Sequence, residues 1–569
     1  MNAQRLSVKH GYHNERTIQV AGFVDNLLDN ATNSGGTFDS AAANDYMSIS
    51  VNQSGGDVPD QVARMLDETA SGEAGKKERT AIVRAIYDGI NAYQSEHGIN
   101  VPADIVQHAI QLGYMATPSV IREFSLDSAS SDHHDQLSLQ PNRAVVAILT
   151  AFSDAIPFAH YLPTDIGSNE GKLAILTHQA AGNQAGNAFG QYGLGASLDG
   201  VNAGDPYITS ARHHAMFPAV TTGNIDGKLT AIMDTDSTCD QAAPAIPLLR
   251  GRSRLYVNGQ PVAKETDSAG TGNSVISGSV TISATTFVIG GTINTDTGVF
   301  AITTTPALPD TVPVVVEGFI DYEKTPSLIS KVNSAVETYK LFANPWRSFT
   351  NITPDSRSQM SQELGLDPYS ESIIAMQHQF ACERHYEVLK KARWLAANNL
   401  TTFNFDWTNR KAFLNRTDAW RDFATPLGAA SQQMAVDTFD HGITHLYVGK
   451  HIAADWMGLP NDIFQPSGIS ERPGIFRVGR LFGRYDVYYT PKGLTDTAAS
   501  GQILAIGRAS NVALNPFVLG DAVTPYIKPL GVDYSLKDGA GYYSRCFTEV
   551  NPHTPSSLGC AMITVTNMQ

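Results

Sequence analysis

The fold is decided by DPYSESIIAMQHQFACERHYEVLKKARWLAAN, residues 367–398, a run that has no glycine and whose only proline stands second. Asp367 suits an N-cap and Pro368 suits the first helical position, so the run predicts one helix over about 367–397. About thirty residues at 1.5 Å each give a helix of roughly 45 Å, well above the usual three turns. Such a helix needs a sheet or a neighbour to cover its apolar stripe, which is formed by Ile373, Phe380, Ala381, Val388, Ala392 and Leu395.

The chain after this helix mixes helical and strand patterns. Residues 418–439 predict a second helix, interrupted near Pro426. Short strands separated by turns follow at THLYVG (444–449), IFRVGRLFGRYDVYYTP (475–491), QILAIG (502–507) and CAMITVTN (560–567). The C-terminal half is therefore predicted to be α+β.

The middle of the chain, residues 225–322, predicts a small β domain inserted between the other elements. Lys264 and Lys324 bracket a run without Lys or Arg that is rich in Thr, Ser, Val and Gly. Within this run Val280 and Ile282 alternate with polar residues at the period of two that strands show. Asn258-Gly259, between LYV and QPV, predicts a hairpin turn.

The N-terminal part predicts an irregular start followed by helices. Residues 1–57 are dominated by Ser, Asn, Asp and Gly from Asp29 onward, and we expect them to be irregular. From Val58 the pattern becomes helical, and an apolar segment follows at 144–160. Repeated glycines then divide 163–218, which disfavours long helices and predicts an extended loop or open hairpin.

Length and composition exclude several classes of protein. The chain has 569 residues, too many for one ordinary core, so about two to four structural units are expected. Its net charge is -15, and an acidic chain does not hold nucleic acid tightly, because phosphate contacts need Lys and Arg. Its 4 cysteines form no Cys-x-x-Cys pair, which argues against a zinc site, and four cysteines in so long a chain do not make a disulfide scaffold.

The start of the chain and its hydropathy argue against secretion and membrane insertion. Residues 1–20 lack the apolar core of a signal peptide. No run approaches the roughly 20 apolar residues that a membrane span needs. We therefore expect the protein to be made and used in a cytoplasm.

Two loops resemble ligand sites only superficially. Gly190–Gly195 lacks the Lys-Ser/Thr of a phosphate loop. Asp234–Asp240 has alternating acids, but the sixth and twelfth positions from Asp234 hold neither the Gly nor the Glu of a calcium loop. We expect a mobile loop and a solvated turn.

The histidines give no metal site. Asp132-His133-His134-Asp135 and His213-His214 contain adjacent histidines, which point to opposite faces of a strand. His378 and His385 lie seven apart on the long helix without an identifiable third ligand. The sequence therefore predicts no catalytic residue, no cofactor and no metal, and a structural protein rather than an enzyme.

The segment from Lys331 to Thr566 resembles the major capsid proteins of large contractile-tailed bacteriophages, which have the Hong Kong 97-type fold. The first 140 residues carry none of the likeness. Shared order and spacing give the likeness its specificity, because each piece alone is short. The pieces are KVNSAVETYKL (331–341), QELGLD (362–367), the long helix, THLYVG (444–449), GRLFGRYDVY (479–488), ILAIG (503–507), TPYIKPL (524–530) and the segment 542–552.

This resemblance implies a Hong Kong 97-type capsid fold with a long spine helix, peripheral and axial domains, an extended E-loop and an inserted small β domain. The parts are an N-terminal arm or helical extension (1–143), the start of the peripheral domain with the glycine-rich E-loop (144–224), the inserted β domain (225–322), the E-loop return and peripheral domain with the spine helix (323–410), the axial domain (411–530) and a C-terminal return to the peripheral domain (531–569).

The function implied is that of a major capsid protein that self-assembles into hexamers and pentamers of an icosahedral or prolate shell around double-stranded phage DNA. Repeated heterologous contacts that close would build such a shell. The implied partners are copies of itself, portal, scaffold, decoration or vertex proteins, and packaged DNA that is contacted weakly and non-specifically, with no membrane. The implied location is the virion head, after assembly in the cytoplasm of a host bacterium.

One pair of site residues comes from the same resemblance. Ile121 and Glu123 fit the Ile/Leu-x-Glu context after which a maturation protease trims proteins of this family. Such tripeptides arise often by chance, and we expect the chain to stay uncut there.

Three other functions remain open at this stage. An encapsulin-like nanocompartment shell has the same fold, but such chains are usually shorter and lack a large β insertion. A capsid vertex paralogue or a sheath protein would be another virion part. A multidomain hydrolase or lectin-like binding protein built around the β region belongs to a different class, and a deep pocket lined by acids or histidines would favour it.

Overall fold

The structure is a computed structural model of the chain that mixes helices and sheets, which confirms the α+β class. It forms two compact units: a main unit, Met1–Ala174 with Thr338–Gln569, and an inserted unit, Ile175–Glu337. The described residues are 13–33, 37–52, 58–69, 73–117, 143–164, 169–180, 213–230, 246–267, 269–326, 329, 331–364, 368–530 and 536–569.

The elements within the described residues are as follows. The α-helices are α1 (His13–Ala31), α2 (Ser40–Asn52), α3 (Asp60–Asp67), α4 (Glu73–His97), α5 (Ala103–Met115), α6 (Arg143–Ser153), α7 (Pro354–Gln359), α8 (Pro368–Leu395), α9 (Trp407–Arg410), α10 (Arg416–Asp422), α11 (Ala424–Thr438), α12 (Lys450–Met457) and α13 (Thr554–Ser557). A π-helical turn spans Met360–Leu364, and 3-10 turns span Ala396–Asn398 and Val512–Leu514.

The strands are β1 (His160–Tyr161), β2 (Glu170–Ala180), β3 (His213–Met216), β4 (Val220–Thr221), β5 (Asn224–Lys228), β6 (Arg254–Val257), β7 (Gln260–Glu265), β8 (Asn273–Ile282), β9 (Thr285–Asn294), β10 (Val299–Thr305), β11 (Val314–Phe319), β12 (Val332–Phe342), β13 (Asn344–Ile352), β14 (Leu400–Asn404), β15 (Ile443–Val448), β16 (Phe464–Pro466), β17 (Phe476–Leu481), β18 (Tyr485–Tyr489), β19 (Gly501–Gly507), β20 (Phe517–Leu530), β21 (Asp538–Val550) and β22 (Cys560–Thr566).

The N-terminal helices belong to the main core. Ile82, Ile86 and Ile90 recur on one face of α4 and are buried, as their helical spacing predicts. The prediction that residues 1–57 are irregular is wrong for the described part, because α1 and α2 bury an apolar face that includes Phe23 and Leu27. Tertiary packing outweighs the weak helix propensity of Asn, Ser and Asp in these segments.

A seven-stranded sheet, in the order β14-β22-β19-β15-β18-β17-β16, has apolar residues on both faces. Because successive side chains point to opposite faces of a strand, Leu504 and Tyr447 join the core of the N-terminal helices and α8. Ile503 and Leu446, their immediate neighbours, join the core of α10, α11 and α12 on the other face. The sheet is therefore buried from both sides and lies between two helical layers.

The long helix α8 confirms the helix predicted from the opening stretch, although Asp367, its predicted N-cap, lies outside the described residues. A four-stranded sheet in the order β1-β20-β21-β13 covers part of its apolar side. The ring of Phe380 lies 5.0 Å from that of Trp346 on β13 and 5.8 Å from that of Tyr542 on β21, measured between centroids. The other end of α8, with Val388 and Ala392, enters the core of the N-terminal helices.

The helix predicted over 418–439 is two helices, α10 and α11, which meet at Phe423. Pro426 does not cause the break, because it lies in the first turn of α11. There the N–H that proline lacks would have no intrahelical partner.

The inserted unit is built on a nine-stranded sheet in the order β3-β11-β6-β7-β8-β9-β10-β5-β4. β3 and β4 stand at the two ends of this order and are separated in the chain by only residues 217–219. The two edges of the sheet can therefore lie at most roughly 14 Å apart, and the sheet curls around one apolar core. Asn258 and Gly259, at φ 50° and 75°, form the predicted hairpin turn between β6 and β7.

Strands β2 and β12 pair with each other in a separate two-stranded ribbon. Most of the glycine-rich stretch 163–218 lies outside the described residues, so its predicted extended form stays a prediction. Among the residues that the structure describes, every helix falls short of the length and apolarity that a bilayer-crossing segment requires.

Candidate functional site

A buried cluster of charged and polar groups lies where the N-terminal helices meet the C-terminal strands of the main unit. Helix α5 begins after Pro102 and carries Asp104, His108 and Gln111 at helical spacing, all buried. These polar residues interrupt a helix face that is otherwise apolar. Buried polar groups need partners, so they fix how α5 docks.

Asp104 anchors the first half of this cluster. Its carboxylate accepts hydrogen bonds from Arg508, at 2.7 Å, and from the backbone N–H of Tyr161, at 3.2 Å. The Nδ1 atom of His160 lies 3.2 Å from the same carboxylate. Burial alone would raise the pKa of Asp104, but Arg508 and His160 hold it well below its usual range, so Asp104 is ionised in the folded chain.

Arg508 and His160 are themselves held by backbone carbonyls. Arg508 donates to the carbonyls of Pro157 and Ala159, at 2.5 and 2.7 Å. His160 Nε2 lies 2.8 Å from the carbonyl oxygen of Ala509. His160 therefore lies between the Asp104 carboxylate and the backbone at Ala509 and links the two segments.

Asp521 anchors the second half. It stands at a bulge of β20, where the pairing with β21 shifts between Asp521 and Val523, and bulges re-aim side chains. His108 Nε2 lies 2.9 Å from its carboxylate and Arg384 of α8 lies 3.2 Å away, with the Asp521 side chain only 3% exposed. Burial opposes ionisation of Asp521, yet Arg384 and His108 lower its pKa to about 2.

The ring of Tyr161 joins the two halves. Tyr161 lies on β1. The ring of His108 stacks on the Tyr161 ring with the centroids 4.4 Å apart, and the guanidinium of Arg384 lies 5.8 Å from the centroid of the same tyrosine ring. One patch of α5, β1, α8 and β20 is therefore tied together by two carboxylates.

A row of neutral histidines lies beside this cluster. His97 Nδ1 lies 2.9 Å from the hydroxyl of Tyr488, and His385 Nε2 lies 3.0 Å from that of Tyr447. The two tyrosine rings stack at 5.3 Å. Burial lowers the pKa of His97 to about 4 and that of His385 and His445 to about 3.

Most of the residues singled out in the sequence lie outside the residues that the structure describes. Ile121 and Glu123, Asp132–Asp135, Gly190–Gly195 and Asp234–Asp240 lie outside the described residues, and the side chains of His213 and His214 do too. The two histidines of α8 have different surroundings: His385 contacts Tyr447, and His378 lies 3.7 Å from the sulfur of Cys382.

Chemistry at these groups is limited. Burial raises the pKa of the Cys382 thiol, so the cysteine beside His378 is not an activated thiolate. In the described part of the chain, no three or more of His, Cys, Asp and Glu are placed to hold a metal ion. The arrangement fixes one element against another, which is a structural role.

Sequence reasoning missed Asp104, His108, Arg508 and Asp521. One signal was available: Asp104, His108 and Gln111 share one face of α5, although the rest of that face is apolar. Their partners lie about 400 residues later in the chain, and no local pattern connects them.

No protein-family profile matches the sequence, and no curated protein matches it. Among solved structures, the chain is similar to the capsid of jumbo bacteriophage PhiKZ, with 9% identity over 72% of this chain and 91% of that chain, at a TM-score of 0.37. It is similar to the capsid of Myoviridae phage XM1, with 10% identity over 42% of this chain and 78% of that chain, at a TM-score of 0.26.

A third similar structure is the SrpI encapsulin of Synechococcus elongatus PCC 7942, with 10% identity over 42% of this chain and 79% of that chain, at a TM-score of 0.26. Phage capsid structures therefore stand among the structural neighbours of this chain. Because these three TM-scores are below 0.5, the superpositions themselves decide neither its fold nor its function.

Proposed function

We propose that this chain is a shell-forming structural protein, the major capsid protein of a tailed bacteriophage. One observation carries the proposal: the main unit has large aromatic side chains that are exposed to solvent, with Phe342 61%, Phe349 69% and Phe413 89% exposed. Covering a side chain of this size contributes about 1.5–3 kcal/mol. Aromatic side chains are enriched at protein interfaces, so exposed rings of this size suit contacts with neighbouring subunits.

The order of elements supports the same proposal. The long helix α8 lies against the antiparallel strands β13 and β21, as expected of a spine helix in a peripheral domain. The doubly covered seven-stranded sheet falls mostly within 411–530, the range that the resemblance assigns to the axial domain. The ribbon of β2 and β12 has the place of the E-loop in the implied order.

Hexamers and pentamers of this subunit would form the head, with portal, scaffold and decoration or vertex proteins as further partners. The net charge of -15 supports a wall that encloses double-stranded DNA without adhering to it. A strongly basic inner surface would contradict this part of the proposal.

The N-terminal helices remain part of the subunit in this proposal, with no cut after Glu123. Removing residues 1–123 would delete Asp104 and His108 and leave Arg508 without its carboxylate partner in a buried place. Unpairing a buried charge costs about 3–5 kcal/mol. The intact mass of the protein in assembled particles measures this directly, and loss of the first 123 residues would contradict it.

Assembly is tested by expressing the chain alone and with its scaffold, followed by sedimentation and negative-stain electron microscopy. We expect closed shells of rings of six and five. A wild-type chain that stays monomeric under all these conditions would refute the proposal. Enzyme cargo instead of nuclease-protected DNA in particles from infected cells would favour the encapsulin-like alternative.

The exposed aromatic residues are tested in the same assay. Phe349→Asp places a charge where we expect a covered ring, and it should lower the yield of shells at least tenfold without unfolding the chain. Asn351→Asp is the matched control, because Asn351 is exposed two residues further along the same face of β13. Equal yields from the two variants would mean that Phe349 takes no part in assembly.

A further inference from the structure

The outward face of strands β8, β9 and β10 in the inserted unit has no charged side chain. It consists of alternate residues of 275–281, 286–292 and 299–305, which we call the neutral face; all are exposed or half-buried. Residues 268–295 contain no Asp, Glu, Lys or Arg at all. An uncharged strand face of this length on a chain of net charge -15 is a candidate contact surface, because charged residues are depleted at the centre of protein interfaces.

Three hydroxyl groups of the neutral face, those of Thr281, Thr286 and Thr303, are paired within it. The hydroxyls of Thr281 and Thr286 lie 3.0 Å apart across β8 and β9. Thr303 of β10 donates to the carbonyl of Gly290 at 3.2 Å. Because paired groups lose little when water is removed, these three threonines can be covered at small cost.

Gly290 lies at the centre of the neutral face, and neither its backbone conformation nor its packing within the chain requires a glycine there. Gly290 lies between Ser277 and Thr303 in the register of the three strands. A Cβ added at Gly290 would meet nothing within 4 Å, and its φ is not positive. Glycine weakens a strand interior, and where local packing does not demand it, it marks the close approach of another backbone.

We propose that the neutral face packs against the neutral face of a second copy of this chain across a two-fold axis. The proposal rests on the shell function proposed above. A face without Lys or Arg does not suit nucleic acid, and its outward side chains include no aromatic ring on which a sugar or base would stack. Two copies of an acidic chain repel each other least through a surface that carries no charge.

The area of the neutral face indicates a partner that is also bound through other contacts. The face measures about 20 Å along the strands and about 14 Å across them, roughly 300 Å². A stable two-protein interface needs about 800 Å² from each partner. The neutral face alone therefore does not dimerise free subunits, but it adds a contact once a shell holds two copies side by side.

Disulfide trapping in assembled shells tests the two-fold contact. Ser277→Cys places a thiol at the centre of the face, so oxidation should give a disulfide-linked dimer of this chain that reduction dissolves. Thr297→Cys, in the exposed turn before β10, is the matched control and should give no dimer above wild type. A link to a different polypeptide, or no dimer in intact shells, would overturn the proposal.

Further variants distinguish a loss of assembly from a loss of folding. Gly290→Thr fills open space with a good strand former, so the melting temperature should stay equal or rise while the shell yield falls at least tenfold. Thr303→Arg should lower the yield as much, and Thr297→Arg should not. If both face variants assemble at wild-type yield, the inference is wrong while the shell function stands; if wild type forms no shell, both fail.

Discussion

At the scale of single residues, Asp521 has the most to lose. Its carboxylate is buried and contacts two groups, the guanidinium of Arg384 and the imidazole of His108. An unpaired buried charge is far more costly than an unpaired surface charge, because nothing replaces the lost partner.

Asp521→Asn should therefore lower the free energy of unfolding of the main unit by about 3–5 kcal/mol. Denaturant unfolding followed by tryptophan fluorescence reports this unit alone, since all 5 tryptophans lie in it. Asp422→Asn is the control, because Asp422 pairs with Arg410 at 2.9 Å on the surface, and that change should cost less than about 1 kcal/mol. Similar losses for the two variants would contradict the buried-pair argument.

At the scale of elements, α8 is held by aromatic contacts near its middle and by aliphatic packing at its C-terminal end. Phe380 is 4% exposed between Trp346 and Tyr542, whereas Ile374, six residues earlier, is 58% exposed. Exposure rather than residue type decides what each side chain contributes.

Phe380→Ala should destabilise the main unit by about 3–5 kcal/mol, the usual cost of a large cavity. Ile374→Ala should change stability by less than about 0.5 kcal/mol and should instead lower assembly if that face of α8 is covered in the shell. Thermal and denaturant unfolding of the purified variants measure the first effect, and particle yield measures the second. A large loss of stability from Ile374→Ala would show that α8 is packed differently.

At the scale of the whole molecule, the buried histidines set the response to acid. Burial lowers the pKa of His97, His385 and His445 from 6.5 to about 4, 3 and 3, so the unfolded chain binds protons that the folded chain refuses. Above pH 6.5 these histidines do not reduce the stability of the folded chain. As the pH falls toward 4, the unfolded chain takes up protons at these positions and the free energy of unfolding decreases. Asp154 acts in the opposite sense, because burial raises its pKa to about 7 and acid therefore favours its folded state.

Three histidines outweigh one aspartate, so the main unit should lose stability between pH 7 and pH 4.5. Each histidine contributes up to about 1.4 kcal/mol per pH unit in this window. Tryptophan-detected unfolding at pH 7.5, 6 and 4.5 measures the slope, and His97→Gln should reduce it by removing one of the titrating groups. Stability that is constant or rises on acidification would contradict the assignment of neutral histidines.

The sequence by itself determined the elements whose signal is local. The helix α8 followed from a long run without glycine and from its periodic apolar face, and the hairpin at Asn258-Gly259 followed from the positive φ angles that these residues tolerate. The strands of the C-terminal half and the inserted β region followed from alternation and turn residues in the same way.

Only the tertiary structure decided how those elements meet. Helices α1 and α2 have weak local propensity and form because Phe23 and Leu27 of α1 and Met47 of α2 are buried in a core. Asp104 and Arg508 are 404 positions apart, and their pairing depends on where α5 docks, which no short-range pattern encodes. The neutral face likewise needs the register of β8, β9 and β10, because only strand pairing places Ser277, Gly290 and Thr303 in one row.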